Sequence, residues 1–241
     1  IYPGGFLVVH FNKQQGLFTD VKARKAVAAA LEMDSIMTAG YSDQKYYNLS
    51  HNFMMTHQHG FWGSDVGKDQ HNIHDVELAK QLLEESGYNG EEIRLITTRD
   101  YEDQYHGSVV IQEQLHQIGM NINLEVYDWP TLLDRRNDPN NWEIFVIANV
   151  AVPEPTLTGF LSKDYPGWTD DPELDRLIHE FRTKPTLEEA RDMFDDLQQW
   201  YWDYMPVLKI GDYNRVSSSR STLENFQYQD GLIFWNVSNN K

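Results

Sequence analysis

The sequence predicts an α/β domain, and three observations support this. Apolar strand-like runs alternate along the chain with segments of helical period. One strand–helix–strand unit is complete between Glu92 and Tyr127. Of the 241 residues, 40% are hydrophobic and 13% aromatic, enough for a sizeable core.

The elements follow in order. Phe6 to Phe11 reads as a strand. Thr19-Asp20 caps a helix through Leu31, with Val21, Ala26, Val27, Ala30 and Leu31 apolar. Asp34 is expected to cap a shorter helix through Ala39, stopped by Gly40. Tyr41 to His74 has no periodicity, holds five of the nine histidines and reads as a long loop. Asp75 starts a helix over Val76–Ser86, with Leu78, Ala79, Leu82 and Leu83 on one face and Gly87 as its stop.

Ile93–Leu95 is a strand core. A helix from Asp103 to Ile118 ends at Gly119. Ile122, Leu124 and Val126 alternate with Asn123 and Glu125 as a half-buried strand. Trp129-Pro130 opens a short helix to Arg136, and Asp138–Asn141 is a turn. Trp142–Ala148 is a buried strand leading into Asn149-Val150-Ala151-Val152-Pro153-Glu154-Pro155. Asp171-Pro172 begins a helix through Arg182. Pro185-Thr186 is expected to begin another that runs unbroken to about Tyr201. Met205–Ile210 is a further strand, and Phe226–Val237 is an aromatic, strand-like tail.

A net charge of −17 argues against a nucleic-acid backbone or an anionic membrane as partner. Between Asp171 and Asp203, ten acidic residues face four basic ones, as on a solvated helix face. The absence of cysteine excludes a thiol nucleophile, a disulfide framework and Cys-based metal sites. No apolar run approaches the ~20 residues that span a bilayer. The chain opens on Ile1-Tyr-Pro-Gly-Gly, as expected of a piece of a longer protein.

Arg99 is the leading candidate site residue. It falls just past the first strand of the complete unit, at the end where open α/β sheets bind ligands. Its planar fork of donors suits a carboxylate. The competing reading is a surface arginine paired with Asp100 or Asp103. The loop from Asn149 to Pro155 is the second candidate, since it can present carbonyls and the Glu154 carboxylate, though it could equally be a rigid connector. His51, His57, His59, His71 and His74 lack the spacing of a metal box and read as loop histidines. Carboxylate pairs such as Asp195-Asp196 point different ways on a helix and make poor acid–base pairs. No nucleophile elbow or phosphate-cradling loop is present. The arrangement suits a protein that holds an anion more than an enzyme that transforms one. No metal or cofactor is expected.

The run Phe18-Thr-Asp20-Val-Lys-Ala-Arg24-Lys-Ala-Val-Ala-Ala-Ala-Leu resembles a conserved helix of the extracellular solute-binding proteins of family 5, the peptide/nickel-type receptors of ABC importers. His74 to Tyr88, Gln114 to Trp129, Trp142 to Val146, Pro153 to Thr156 and Asp203 to Val207 are similar to later elements of that family, in the same order. The resemblance implies that residues 1–241 form the C-terminal lobe of a two-lobed, type II periplasmic-binding-protein-like receptor, with a mixed sheet flanked by helices. A first lobe would precede Ile1, and the stretch near Phe234–Val237 would return toward it.

It further implies an extracytoplasmic, non-enzymatic protein, here a lipoprotein fragment, that passes a small peptide or peptide-like ligand to a membrane permease. A receptor for a metal chelate such as nickel is the first alternative, and a stand-alone acidic hydrolase the second. By the resemblance, Arg99 falls where dipeptide-type members grip the ligand carboxylate, and Tyr101, Asn149, Val150 and Glu154 join it as expected ligand-binding residues. Ala151 stands where those members carry an aspartate for the ligand's α-amine, a departure from the family pattern.

Overall fold

The computed structural model describes residues 1–225, 227–228 and 232–239. Its centre is a six-stranded mixed sheet. The strands are β1 (Tyr2–Phe11), β2 (Tyr47–Asn48), β3 (Glu92–Thr98), β4 (Asn121–Tyr127), β5 (Ile144–Asn149) and β6 (Val207–Arg215), in the order β2-β6-β1-β5-β3-β4. β3 is parallel to both β4 and β5, while β1 is antiparallel to its neighbours β5 and β6. β6 therefore runs the same way as β5.

The helices are α1 (Val21–Ala30), α2 (Met33–Tyr41), α3 (His59–Trp62), α4 (Val76–Glu85), α5 (Glu102–Gln117), α6 (Trp129–Arg135), α7 (Pro172–Arg182), α8 (Leu187–Arg191) and α9 (Phe194–Tyr204). The side chains of Asp20, Asp75 and Asp171 each accept a backbone N–H at a helix start, as their positions in the sequence predict, and Asp128 does the same at the start of α6.

Both faces of the sheet are covered, which explains the unbroken apolar run of β1. On one face Leu7 meets Gly107 of α5 near Ile36 of α2, and Phe11 packs on Phe18 at the entry to α1. On the other face Phe6 meets Phe160, and His10 stacks on Phe145 with ring centroids 4.2 Å apart. Phe53 and Tyr201 of α9 extend this second layer. Arg24 locks α1 to the chain between α9 and β6. It donates to the Phe18 carbonyl at 2.6 Å, the Tyr204 carbonyl at 2.6 Å and the Met205 carbonyl at 3.0 Å. Burial lowers its pKa to about 10.

Several boundaries differ from expectation. Glu32, not Asp34, caps α2, accepting from the Asp34 and Ser35 amides. Gly40 does not stop that helix. A Cβ there would stand 2.9 Å from the Asp103 carbonyl oxygen, so Gly40 lets α2 and α5 approach closely. Leu78 is 36% exposed and lies off the buried face of α4. The segment after Pro185 is two helices, broken near Asp192–Met193, not one. β6 continues past Ile210 to Arg215, with Gly211, Asp212 and Tyr213 all buried. The 41–74 segment is more than a loop. It contributes β2 and α3 and buries Phe53, Met54, Met55 and Trp62.

Its polar link to the sheet is an ion pair. Lys209 and Asp212 meet at 2.7 Å with both side chains buried. Lys209 also donates to the Asn52 and Met54 carbonyls, and Asp212 accepts from the Thr56 amide and hydroxyl.

In the tail, Leu223–Glu224 pairs with Ser238–Asn239, and Gln227–Tyr228 with Leu232–Ile233. Phe226 and residues 229–231 of the expected tail strand lie outside the described residues.

Candidate ligand-binding site

Because β3, β4, β5 and β6 all run the same way, their C-terminal ends share one edge of the sheet. The N-terminal end of β1 lies at that edge too, since Tyr2 is opposite Arg215 and Phe6 opposite Asn149. A cleft of about 400 Å³ opens there, within the size range of small-molecule sites. Tyr213, Asn214 and Arg215 come to it from β6, and Ala148 and Val150 from the end of β5. Tyr101, Asp103 and Gln104 follow β3, Trp129 follows β4, and Tyr41 closes α2.

Local hydrogen bonds set these positions. After β3 the Thr98 hydroxyl accepts from the Asp100 amide at 3.1 Å, turning the chain. The Asp100 carboxylate then accepts from the Trp129 amide at 2.7 Å, joining the loop after β3 to the start of α6. This brings the Tyr101 ring edge-on to Trp129 at 5.0 Å. Tyr41 stacks on Tyr213 with centroids 4.8 Å apart. Gly5 makes room beside them. Its φ is +158°, and a Cβ there would lie 2.2 Å from the Asn149 carbonyl oxygen and 2.8 Å from the Tyr213 hydroxyl. Burial and the neighbouring Asp103 carboxylate push the Tyr41 hydroxyl pKa well up.

The cleft brings together two of the five residues named from sequence, Tyr101 and Val150. Arg99 is exposed at the same edge but outside the cleft lining. Its guanidinium lies over the Tyr105 ring at 4.4 Å and donates to the Tyr105 hydroxyl at 2.9 Å. Tyr105 shares a face of α5 with Gln112 and His116, which both reach the Ile122 carbonyl in β4, whereas Asp103 faces α2. No carboxylate pairs with Arg99 among the described residues. Asn149 ends β5 at the close approach to Gly5. Both Glu154 carboxylate oxygens are engaged locally, by the Thr156 amide and hydroxyl at 2.8 Å each, so Glu154 caps the short turn Pro155–Leu157.

Sequence reading missed Tyr41, Asp103, Gln104, Trp129 and Tyr213–Arg215 as lining residues. Asp103 and Gln104 carried a signal, since they lie within six residues of the strand end Thr98. The β6 residues carried none, because they reach the cleft only through the sheet order. Of the histidines, His57 and His74 are exposed, whereas His51, His59 and His71 are half-buried. His51 bonds the Ser64 carbonyl, and burial lowers the pKa of His71 to about 4. Among the described residues no group of three or more His, Asp or Glu could hold a metal ion.

Comparison with known proteins settles what this arrangement belongs to. Residues 2–171 match the family model described as bacterial extracellular solute-binding proteins, family 5, middle region. The chain belongs to that family. It is a family of binding proteins rather than enzymes. A relative in Sinorhizobium fredii, described as a probable peptide ABC transporter periplasmic-binding protein, is 27% identical over 96% of this chain. The chain spans 45% of that relative's length.

In fold the chain is similar to the oligopeptide-binding protein AppA of Bacillus subtilis, solved with a nonapeptide, with a TM-score of 0.81, 18% identity and coverage of 100% of this chain and 52% of that one. It is similar also to a dipeptide-binding protein of a Pseudoalteromonas species, solved with Met-Leu, with a TM-score of 0.80, 21% identity and coverage of 98% of this chain and 48% of that one. The α/β architecture with a mixed six-stranded sheet matches about half of each of these proteins. Among the described residues no helix is long and apolar enough to cross a membrane.

Proposed function

We propose that this chain is the C-terminal lobe of an ABC-importer receptor that captures a peptide or similar small anionic ligand between two lobes outside the cytoplasm. A first lobe closes over the strand-end face, and the loaded receptor delivers its ligand to a membrane permease. The observation that carries this reading is the convergence of four strand ends and the α2 terminus on one open cleft. The relatives' descriptions, a peptide transporter component in one case and peptide complexes in the others, support it.

The mechanism is hinge closure. In the open receptor the cleft and Arg99 are wet. Closure removes water, and the fall in effective dielectric strengthens every charge pair across the interface. Arg99 is the anionic anchor. Tyr105 fixes its guanidinium plane by stacking and takes one of its donors, leaving the rest of the fork for a carboxylate.

The test begins with mass spectrometry of material co-purified with the receptor that contains this chain, followed by calorimetry with the identified ligand. Arg99→Ala is expected to cost about 2–5 kcal/mol of binding, and Arg99→Lys to restore only part of it. Wild-type affinity in the alanine variant would remove Arg99 from the site.

A further inference from the structure

The chain leaves the sheet at Asn149, whose register partner is Phe6 of β1. Val150 and Ala151 follow, both exposed, and their backbone groups close no hydrogen bond among the described residues. Val150 lines the cleft. The next two residues are held from behind. Gln58 donates from Nε2 to the Val152 carbonyl at 2.6 Å, and Trp62 donates from Nε1 to the Pro153 carbonyl at 3.0 Å. Gln58 Oε1 accepts from the Met55 amide at 3.3 Å, which turns the Nε2 end toward the loop. Both donors belong to one stretch, Thr56–Trp62, and neither lines the cleft. That stretch is itself fixed at both ends. The Thr56 amide and hydroxyl donate to the buried Asp212 carboxylate, and Arg191 donates from Nη2 to the Gly63 carbonyl at 2.9 Å, just past α3. The buried Trp62 ring lies against Phe181 and Phe194, with centroids 5.7 and 6.0 Å away.

We propose that Gln58 and Trp62 are positioning residues, which act on the ligand through the backbone of Val150–Pro153. This role rests on the receptor reading above, in which Val150 meets the ligand, and adds what sets the backbone there. β5 fixes one end of the exposed pair Val150-Ala151, and the Thr56–Trp62 stretch fixes the other. Without that clamp the next long-range anchor is Thr156, whose carbonyl accepts from Arg182 at 3.1 Å, and the free span grows to Val150–Pro155. Each residue left free must be ordered when the ligand arrives, and that entropy is subtracted from binding. The 41–74 segment thereby acquires a task. It carries the rigidity of β6 to the cleft wall, through Asp212, Thr56 and Gln58, without touching the ligand.

The experiment uses the receptor that contains this chain, with Gln58→Leu and Trp62→Phe. The first removes the amide donor. The second removes one N–H while keeping an aromatic ring against Phe181 and Phe194. Brief digestion of the folded, ligand-free receptor with a protease that cuts after small aliphatic residues, mapped by mass spectrometry, follows opening at Val150–Val152. Cleavage there is expected to rise about tenfold in each variant, the effect of one lost hydrogen bond on the open population. The binding probes are short unmodified peptides, offered as a mixture, with the most strongly retained one taken to calorimetry and stopped-flow. That peptide is expected to bind about tenfold more weakly in each variant, mostly through faster dissociation. A purely structural role would shift the thermal melt and leave the dissociation rate alone, so melts are recorded beside it and confirm folding. Unchanged cleavage in both variants, or faster cleavage with wild-type affinity, overturns the proposal while leaving the receptor reading in place. Retention of no peptide by the wild type overturns the peptide-receptor reading and the clamp's role with it.

Discussion

Asp212→Ala should be among the most destabilising single changes in this chain. Asp212 and Lys209 lie three residues apart on β6, with side chains 4% and 2% exposed and 2.7 Å between them. Lys209 has three donors and three acceptors, namely Asp212, the Asn52 carbonyl at 2.9 Å and the Met54 carbonyl at 2.8 Å. The alanine variant leaves a buried ammonium with two neutral dipoles, and the Thr56 amide and hydroxyl lose the carboxylate they bonded at 2.6 and 2.5 Å. Removing one partner of a buried pair costs about 3–5 kcal/mol. For a chain of this size that lowers Tm by roughly 6–20 °C.

The assay is urea unfolding with the slope fitted independently, so that a change in midpoint reads as stability. Lys209→Met should cost a similar amount. The double variant Lys209→Met/Asp212→Leu should cost less than the sum, because no unpaired charge is left inside. A loss below about 1 kcal/mol for Asp212→Ala at unchanged slope would refute the reasoning, and would mean that water reaches the pair.

Two further expectations concern the same body. His71 and His10 are both held neutral by burial, with pKa lowered to about 4 for His71 and lowered well below its usual value for His10. Their contribution is complete above about pH 6.5, the unfolded value, and is lost as pH falls below it, because only the unfolded chain takes up the protons there. Stability should therefore drop between pH 7 and 5, by about 2 kcal/mol from His71 and further in the same direction from His10, and His71→Leu should flatten part of that slope in urea titrations; a profile flat across this window in the wild type counts against it. Gly5→Ala should cost about 1–3 kcal/mol, because the new Cβ meets the Asn149 carbonyl oxygen at 2.2 Å, on the backbone of a central strand. A melt within 1 °C of wild type would show that β1 and β5 can separate freely at that point.

Most helix starts were legible because their signals are local: Asp20, Asp75 and Asp171 bond amides within three residues of themselves, and Pro130 marks the first turn of α6. What failed depends on distant partners. The break between α8 and α9 carries no glycine or proline and falls where Ala190, Met193 and Phe194 turn inward together. The strand expected to end at Ile210 runs on because Asp212 is buried against Lys209 and against a loop more than 150 positions away in sequence. Gly40 looked like a helix stop because its true neighbour, the Asp103 carbonyl, is a packing contact with another helix. The site divides the same way. Tyr101 and Val150 follow their strands directly and could be named, whereas Tyr41 and Tyr213 meet only because β6 lies beside β1 and α2 packs over it.

The edge-on pairing of Trp129 with Tyr101 gives the cleft an optical signature. Trp129 is the tryptophan in the cleft lining, half-buried, while Trp142 and Trp202 are sealed in the core. Its indole emission reports the polarity and quenching at the cleft wall once the other indoles, among them the 82% exposed Trp235, are replaced by phenylalanine. Because the chain has no cysteine, a single thiol placed at the exposed Val150, across the same opening, accepts a dye at one position only. Emission from Trp129 and energy transfer to that dye then follow filling of the cleft in real time, without a tag on the ligand.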